Sequence, residues 1–147
     1  MDPSIVIATP QDLEGLDRLQ REAFVNPWRI DVLRAAIFDL KFLVRLMREP
    51  QAGLIGFYVG HNTQGAHNLD NLVVEPSYRR QGFGLSLMQD WMARARLAGH
   101  SALTLQVNTR NLPAQNLYVK LGFRHTRRML GYYPNGEDAF EMRKTLK

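Results

Sequence analysis

A mixed α/β domain folded around one central sheet is the class this chain predicts. Short apolar runs and longer stretches of helical spacing alternate in the order β-α-α-β-β-β-α-β-α-β-β. In the middle, a strand ending at Val74 passes through Glu75-Pro76 into a helix that opens on two glycines, Gly82 and Gly84. At 147 residues, with 45% hydrophobic and 22% charged content, the chain has the size and balance of one ordinary domain with a substantial core.

Residues 4–9 (SIVIAT) read as the first strand. Thr9 then caps a helix with Pro10 at its first position, and Leu13, Leu16, Leu19 and Ala23 share one face. A break at Asn26-Pro27 leads to Trp28 and a second helix, with Ile30, Leu33, Ile37 and Leu40 at helical spacing. Residues 41–48 alternate, placing Phe42, Val44 and Leu46 on one face, and the turn at 49–53 makes a hairpin into 54–59. A loop at 61–66 precedes a strand over 67–74. The glycine-led helix carries Leu85, Met88, Trp91, Met92 and Ala95 and closes near Gly99. Residues 102–107 form another strand, and Asn111 caps a helix with Pro113 in its first turn, ending at Leu121-Gly122. Residues 123–130 and 139–146 read as a final strand pair.

Composition narrows the classes. Without cysteine there is no disulfide, thiolate metal site or Cys nucleophile, as suits a reducing cytoplasm. Met1-Asp2-Pro3-Ser4 lacks the regions of a signal peptide, and no apolar run approaches the roughly 20 residues of a membrane span. A cytoplasmic location without a membrane partner is expected. The net charge is +5, and 15 of the 19 basic residues are arginine, which suits an anionic ligand as well as a basic solvated surface. The cluster Arg124, His125, Arg127 and Arg128 lacks the interleaved aromatics of an RNA-binding surface, which argues against a nucleic-acid partner. The four histidines lack metal spacing, so no metal is expected.

The pattern R-x-x-G-x-G over residues 79–84 is a candidate anion cradle, because glycines let backbone N–H groups approach a ligand at the positive end of a helix. Glycines opening a helix also serve packing and turns. A Walker loop needs Gly-Lys-Ser/Thr, whereas Gly84 is followed by Leu85-Ser86. A Rossmann fingerprint needs a third glycine where Leu87 stands.

Arg79-Arg80-Gln81-Gly82-Phe83-Gly84 resembles the acetyl-coenzyme A motif of the GNAT acetyltransferases. Asn111, Asn116-Leu117-Tyr118 and Leu121-Gly122-Phe123 resemble that family's second signature. Phe24-Val25-Asn26-Pro27-Trp28 and Tyr132-Tyr133-Pro134-Asn135-Gly136-Glu137-Asp138-Ala139 look like the protein N-terminal acetyltransferases, above all the bacterial ribosomal-protein-alanine type. The resemblance covers most of the chain. It implies one GNAT domain over residues 1–147, with a mixed, mostly antiparallel sheet of about seven strands splayed in the middle and about four helices. It also implies acetyl-coenzyme A as donor. The pantetheine arm would lie on the backbone of Leu72, Val73 and Val74, wedged against residues 102–107, with Asn111 beside it. The pyrophosphate would sit on the amides of Gln81, Gly82, Phe83 and Gly84, with Arg79 and Arg80 nearby.

Tyr118 matches the family tyrosine that protonates or hydrogen-bonds the coenzyme A sulfur; its helical spacing with Leu117 and Leu121 also suits a core aromatic. Twelve residues earlier, where the ribosomal-protein enzymes carry a glutamate base, this chain has Gln106. An amide cannot take a proton at neutral pH and can only hold water or substrate by hydrogen bonds. An α-amine, with a pKa of about 7.7–8.0, is roughly a quarter to two-fifths neutral at pH 7.5, against about 0.1% for lysine. Gln106 therefore favours an N-terminal or other low-pKa amine. Candidate replacement bases are Asp70, on one strand face with Leu72 and Val74, then Glu75, Glu137 and His67; Asp70 also suits a surface or ion-pair role, and Glu75 turn chemistry. By resemblance, Tyr132 and Tyr133 line the peptide entry, and Trp28 packs the opposite side of that groove or the core.

The resulting expectation is acetyl transfer from acetyl-coenzyme A to the N-terminal amine of a protein or peptide, a ribosomal protein among the candidates. Attack would be direct, in a ternary complex, by an enzyme that is a monomer or homodimer. Two readings stay open beside it: acetylation of a small amine such as a polyamine, amino acid or antibiotic, and a non-catalytic acyl-coenzyme A-binding protein.

Overall fold

The computed structural model describes residues 3–146; Met1 and Asp2, read above for a leader, lie outside the described residues. The elements follow in the order β1 (Ser4–Ile7), α1 (Leu13–Ala23), α2 (Ile30–Phe38), β2 (Phe42–Glu49), β3 (Gly53–Asn62), β4 (Ala66–Val74), α3 (Phe83–Leu97), β5 (Ala102–Asn108), α4 (Leu112–Lys120), β6 (Arg124–Met129) and β7 (Ala139–Thr145). Thr9 caps a short 3-10 turn, Pro10–Asp12, rather than α1 itself, and the Asp12 carboxylate in return accepts from the Thr9 amide at 2.8 Å. This reciprocal pairing satisfies donors that a helix start leaves open.

The strands make one sheet in the order β1-β2-β3-β4-β5-β7-β6. Every pairing is antiparallel except β4 with β5. That parallel ladder runs only from Ala66↔Ala102 to Leu69↔Leu105. Beyond it β4 continues to Val74 on β3 alone, and β5 continues to Asn108 on β7 alone. The sheet is therefore splayed in its middle, as the family resemblance implies.

A register shift marks the point of parting. Val59 pairs with Asn71 but Gly60 with Leu69, so Asp70 is an extra residue in β4. A bulge of this kind re-aims the side chains that follow it. Leu69 before it and Leu72 and Val74 after it all pack on the α3 face, whereas Val73 packs with α1 and α2. Asp70 goes with Asn68 to the α1–α2 face. The expectation that Asp70 shares a face with Leu72 and Val74 is thus corrected, because simple alternation does not survive the inserted residue.

Two apolar layers cover the sheet. On one face Trp91 of α3 is fully buried and stacks on Phe123, with ring centroids 6.2 Å apart. On the other, Leu16, Leu19, Leu33 and Ala36 of α1 and α2 meet Val44, Leu46, Phe57 and Val59. Two sequence assignments fail at helix ends. Leu40 lies past the end of α2 and is 98% exposed, and on α3 it is Leu87, not Leu85, that reaches the core. A salt bridge threads the α3 layer: Arg45 Nε donates to Asp90 Oδ2 at 2.8 Å, and Tyr58 Oη donates to the same oxygen at 2.7 Å.

Candidate active site

The parting of β4 and β5 opens a groove of about 580 Å³. Its floor is β4 from Leu69 to Leu72 and β5 from Leu105 to Asn108, and α4 contributes Tyr118. The α1–α2 loop, with Trp28, forms one lip, and the loop before β7, with Tyr132 and Tyr133, forms the other. Residues more than 100 positions apart in sequence are thereby brought to one cleft.

Each lip is fixed by polar bonds that the sequence explains only in hindsight. Gln20 of α1, 0% exposed, donates from Nε2 to the Trp28 carbonyl at 2.8 Å and accepts from the Trp28 amide at 3.2 Å. A buried amide satisfied in this way holds the loop without leaving an open polar group. The Trp28 ring stands edge-on to Phe42. On the far lip, the Tyr133 amide donates to the Glu137 carbonyl at 3.0 Å, and the Gly136 amide to the Tyr133 carbonyl at 2.9 Å. Asp138 accepts from the Gly131 amide and from Arg128 Nε, each at 2.8 Å; these bonds, led by the backbone one, hold its carboxyl below the usual range. The Gly-Glu-Asp-Ala run is therefore the device that presents the Tyr132–Tyr133 pair, whose rings meet edge-on at 5.0 Å.

Tyr118 is set by α4, which Asn111 caps by accepting from the Ala114 amide at 3.2 Å. Its ring stands edge-on to Phe123 at 6.2 Å, and burial pushes the phenol pKa up. Burial also pushes up Tyr133, to about 12, with the nearby Tyr132, Tyr118 and Glu137 adding to it. The tyrosines are thus neutral at physiological pH.

Gln106 is locked side to side with Asn68: Gln106 Nε2 donates to Asn68 Oδ1 at 3.0 Å, and Asn68 Nδ2 donates to Gln106 Oε1 at 3.2 Å. Thr104 Oγ1 donates to the same Asn68 oxygen at 2.7 Å. Asp70, next in this network, accepts from Asn68 Nδ2 at 2.9 Å and faces His61 Nδ1 at 2.7 Å. Beside it, the Asn71 side-chain Nδ2 is buried in the groove floor without a hydrogen-bond partner among the described residues.

The glycine loop lies past the C-terminal end of β4, outside the lining of the groove. Gly82 caps α3 at φ +84°, and Arg80 also takes a left-handed φ of 62°. Arg79 Nε donates to the Val74 carbonyl at 3.2 Å. Val73 turns its side chain into the opposite core at 3% exposure, so only its backbone is available to a ligand. A Cβ on Gly82 would meet nothing, so Gly82→Ala is expected to cost about 1 kcal/mol through backbone conformation alone. At Gly84 a Cβ would make ordinary contacts with Val74 and Leu72, so Gly84→Ala should leave the denaturation midpoint close to wild type. Denaturant titration of the two variants checks this difference.

Of the candidate bases, His67 is corrected. It is buried on the α3 face, accepts from Trp91 Nε1 at 2.8 Å through Nδ1, and burial lowers its pKa to about 4. It is a core acceptor for the indole N–H. Glu75 caps the turn before the glycine loop, accepting from the Ser77 amide at 3.0 Å. Glu137 is held in its own turn by Asn135, with Arg110 at 3.5 Å. Of the basic cluster on β6, Arg127 pairs with Glu141 and Arg128 with Asp138, each at 2.8 Å.

The model of the acetyltransferase (GNAT) family matches residues 13–123. The chain belongs to the GNAT family. This GNAT chain is 28% identical over 135 residues to the ribosomal protein bS18-alanine N-acetyltransferase of Haemophilus ducreyi, covering 89% of each chain. It is 27% identical over 158 residues to an N-alpha-acetyltransferase of Sulfolobus acidocaldarius, covering 97% of this chain and 92% of that one. The crystal structure of the ribosomal-protein-alanine N-acetyltransferase of Escherichia coli superposes with a TM-score of 0.90 at 25% identity, covering 99% and 95% of the two chains. The GNAT fold expected from the motifs is the fold observed.

Four groups around the GNAT cleft escaped the sequence reading: Gln20, His61, Asn68 and Asn71. Nothing local marks them. His61 falls in an expected loop, yet β3 runs on to Asn62 because it pairs with the start of β4.

Proposed function

We propose that the chain transfers an acetyl group from acetyl-coenzyme A to the α-amine of a protein or peptide. The observation that carries this reading is the groove itself: a cleft at the split of β4 and β5, with Tyr118 in its wall and aromatic lips at Trp28 and Tyr132–Tyr133. The residues fit the donor. From Asp70 to Val74 the β5 side of β4 has no strand partner, leaving backbone groups for an extended arm with amide groups of its own. The unpartnered Asn71 Nδ2 adds a donor on that floor. The helix start at Gly82 supplies N–H groups and a positive dipole end for phosphate, with Arg79 and Arg80 beside it.

Acetyl-coenzyme A supplies an activated thioester. The chain's residues do the rest: the lips orient the peptide start, the freed backbone holds the arm, and the Tyr118 hydroxyl donates a proton toward the sulfur as it departs. No Ser, Cys or other nucleophile is needed for direct attack. The relatives named for N-terminal substrates, together with the aromatic lips, support an exposed chain end as acceptor, with a ribosomal protein as one candidate.

Coenzyme A release with peptides bearing free or blocked N-termini tests the acceptor. Turnover is expected on free N-termini and not on blocked, lysine-containing peptides. Persistent turnover on the blocked set would sink the N-terminal reading, and binding of coenzyme A without turnover on any amine would replace it with a binding function.

A further inference from the structure

The reaction needs an acceptor for the amine proton, and Gln106 is not one. Its amide is spent on Asn68, both ends engaged. Across that bridge stands a carboxylate. Asp70 sits on the β4 bulge with its side chain 12% exposed, and it lines both the groove and an adjoining polar cavity of about 370 Å³. Both of its oxygens face His61 Nδ1, at 2.7 and 2.9 Å, and Oδ1 also accepts from Asn68 Nδ2. His61 comes from β3, and its ring packs against Phe42 at 5.4 Å. We propose that Asp70, oriented by His61, takes the proton from the attacking α-amine, replacing a carboxylate at position 106 from the neighbouring strand.

This rests on the α-amine reading of the acceptor. The amine nitrogen forms the new C–N bond and gives its proton to Asp70. The C–S bond breaks, and Tyr118 protonates the sulfur. Asp70 then returns its proton to solvent and Tyr118 regains one, so the neutral amine and thioester become amide and thiol. Asp70 is the catalytic residue and His61 the positioning one. Burial lifts the Asp70 carboxyl above the usual carboxylate range, and the bonds from His61 and Asn68 pull it back in part. A base so raised is better matched to neutral pH. His61 from β3 and Asn68 from β4 bond to it, and Thr104 and Gln106 from β5, Glu141 and Arg143 from β7, and Tyr132 from the lip line the same cavity.

The test is kcat against pH for wild type and three variants, using acetyl-coenzyme A and a peptide with a free N-terminus. Wild-type kcat should fall on the acid side as Asp70 protonates. In Asp70→Asn, kcat should drop about 100-fold and that acid limb should vanish, with coenzyme A affinity unchanged. In His61→Leu the limb should move to higher pH, since a bond favouring the ionised carboxylate is lost. In Asp70→Asn/Gln106→Glu, a carboxylate across the bridge should recover about tenfold or more of the loss.

Stability separates catalysis from mere structure. A folded pKa above the unfolded one favours the fold below the unfolded pKa, and that contribution is lost as pH rises through the folded value. At neutral pH Asp70→Asn should therefore melt no lower than wild type. An Asp70→Asn protein with wild-type kcat, with the acid limb intact, or with a lower melting point overturns the proposal. So does a double variant that recovers nothing. If wild type acetylates only blocked lysine peptides or small amines, the α-amine reading falls; the same comparison on that amine still decides Asp70.

Discussion

Tyr118→Phe is expected to lower kcat about 100-fold or more while leaving coenzyme A affinity unchanged, the size of a lost general acid. The substitution deletes one oxygen and keeps the ring that packs edge-on against Phe123, so the wall of the groove stays in place. The hydroxyl it removes is held protonated by burial, which makes it a donor and not an anion at neutral pH. A departing thiolate is where such a donor is needed. Steady-state kcat with a free-amine peptide, beside calorimetric coenzyme A binding, separates the two effects. An unchanged kcat would remove Tyr118 from the chemistry and return it to the core.

The largest expected loss of stability lies away from the groove, at Arg45. This residue is 8% exposed, donates to Asp90 through Nε and reaches the Ile5 carbonyl at 3.0 Å. Arg45→Met keeps much of the aliphatic stem but leaves Asp90 half-buried with, among the described residues, Tyr58 and the more distant Arg94 to answer it. Breaking one side of such a pair costs about 3–5 kcal/mol. For a chain of this size that is about 6–20 °C in melting temperature. Replacing both partners, as Arg45→Met/Asp90→Leu, should recover part of the loss because no charge is then left alone. Denaturant unfolding of the single and double variants measures it; a single-variant loss below about 1 kcal/mol would mean that water reaches Asp90 freely.

Periodicity was enough for every element that carries its own pattern, and it failed where pairing decides. The seven strands and four helices of the described residues follow the expected order, although β3 runs past its expected end to Asn62 and α1 starts at Leu13, after a 3-10 turn. Leu40 and Leu85 were misassigned because spacing alone does not say where a helix stops or which side of its stripe faces the sheet. The site was legible in its named motifs: Tyr118, Gln106, Trp28, Tyr132 and Tyr133 do converge on one groove. The polar network behind it was not. The contact of His61 with Asp70 depends on a bulge, and a bulge is a property of two strands in register, invisible in either strand alone. Gln20 escaped for a related reason. A glutamine beside an apolar stripe reads as solvated until the loop it holds is seen.

The strand order has a consequence for synthesis. β7 lies between β5 and β6 although it follows β6 in the chain. Until β7 emerges, β5 presents an open edge on that side, and β6 has no partner of its own. At about 5–20 residues per second, the interval from Met129 to Thr145 lasts about one to three seconds. An unpaired strand is a template for joining another chain, and charged side chains along it discourage that. Arg124, Arg127 and Arg128 crowd β6 with positive charge, and Glu141 and Asp138, the acidic partners of Arg127 and Arg128, arrive only afterwards, within β7 and just before it. Arg127 and Arg128, which repel each other on a nascent chain, become ion pairs at the moment the sheet closes.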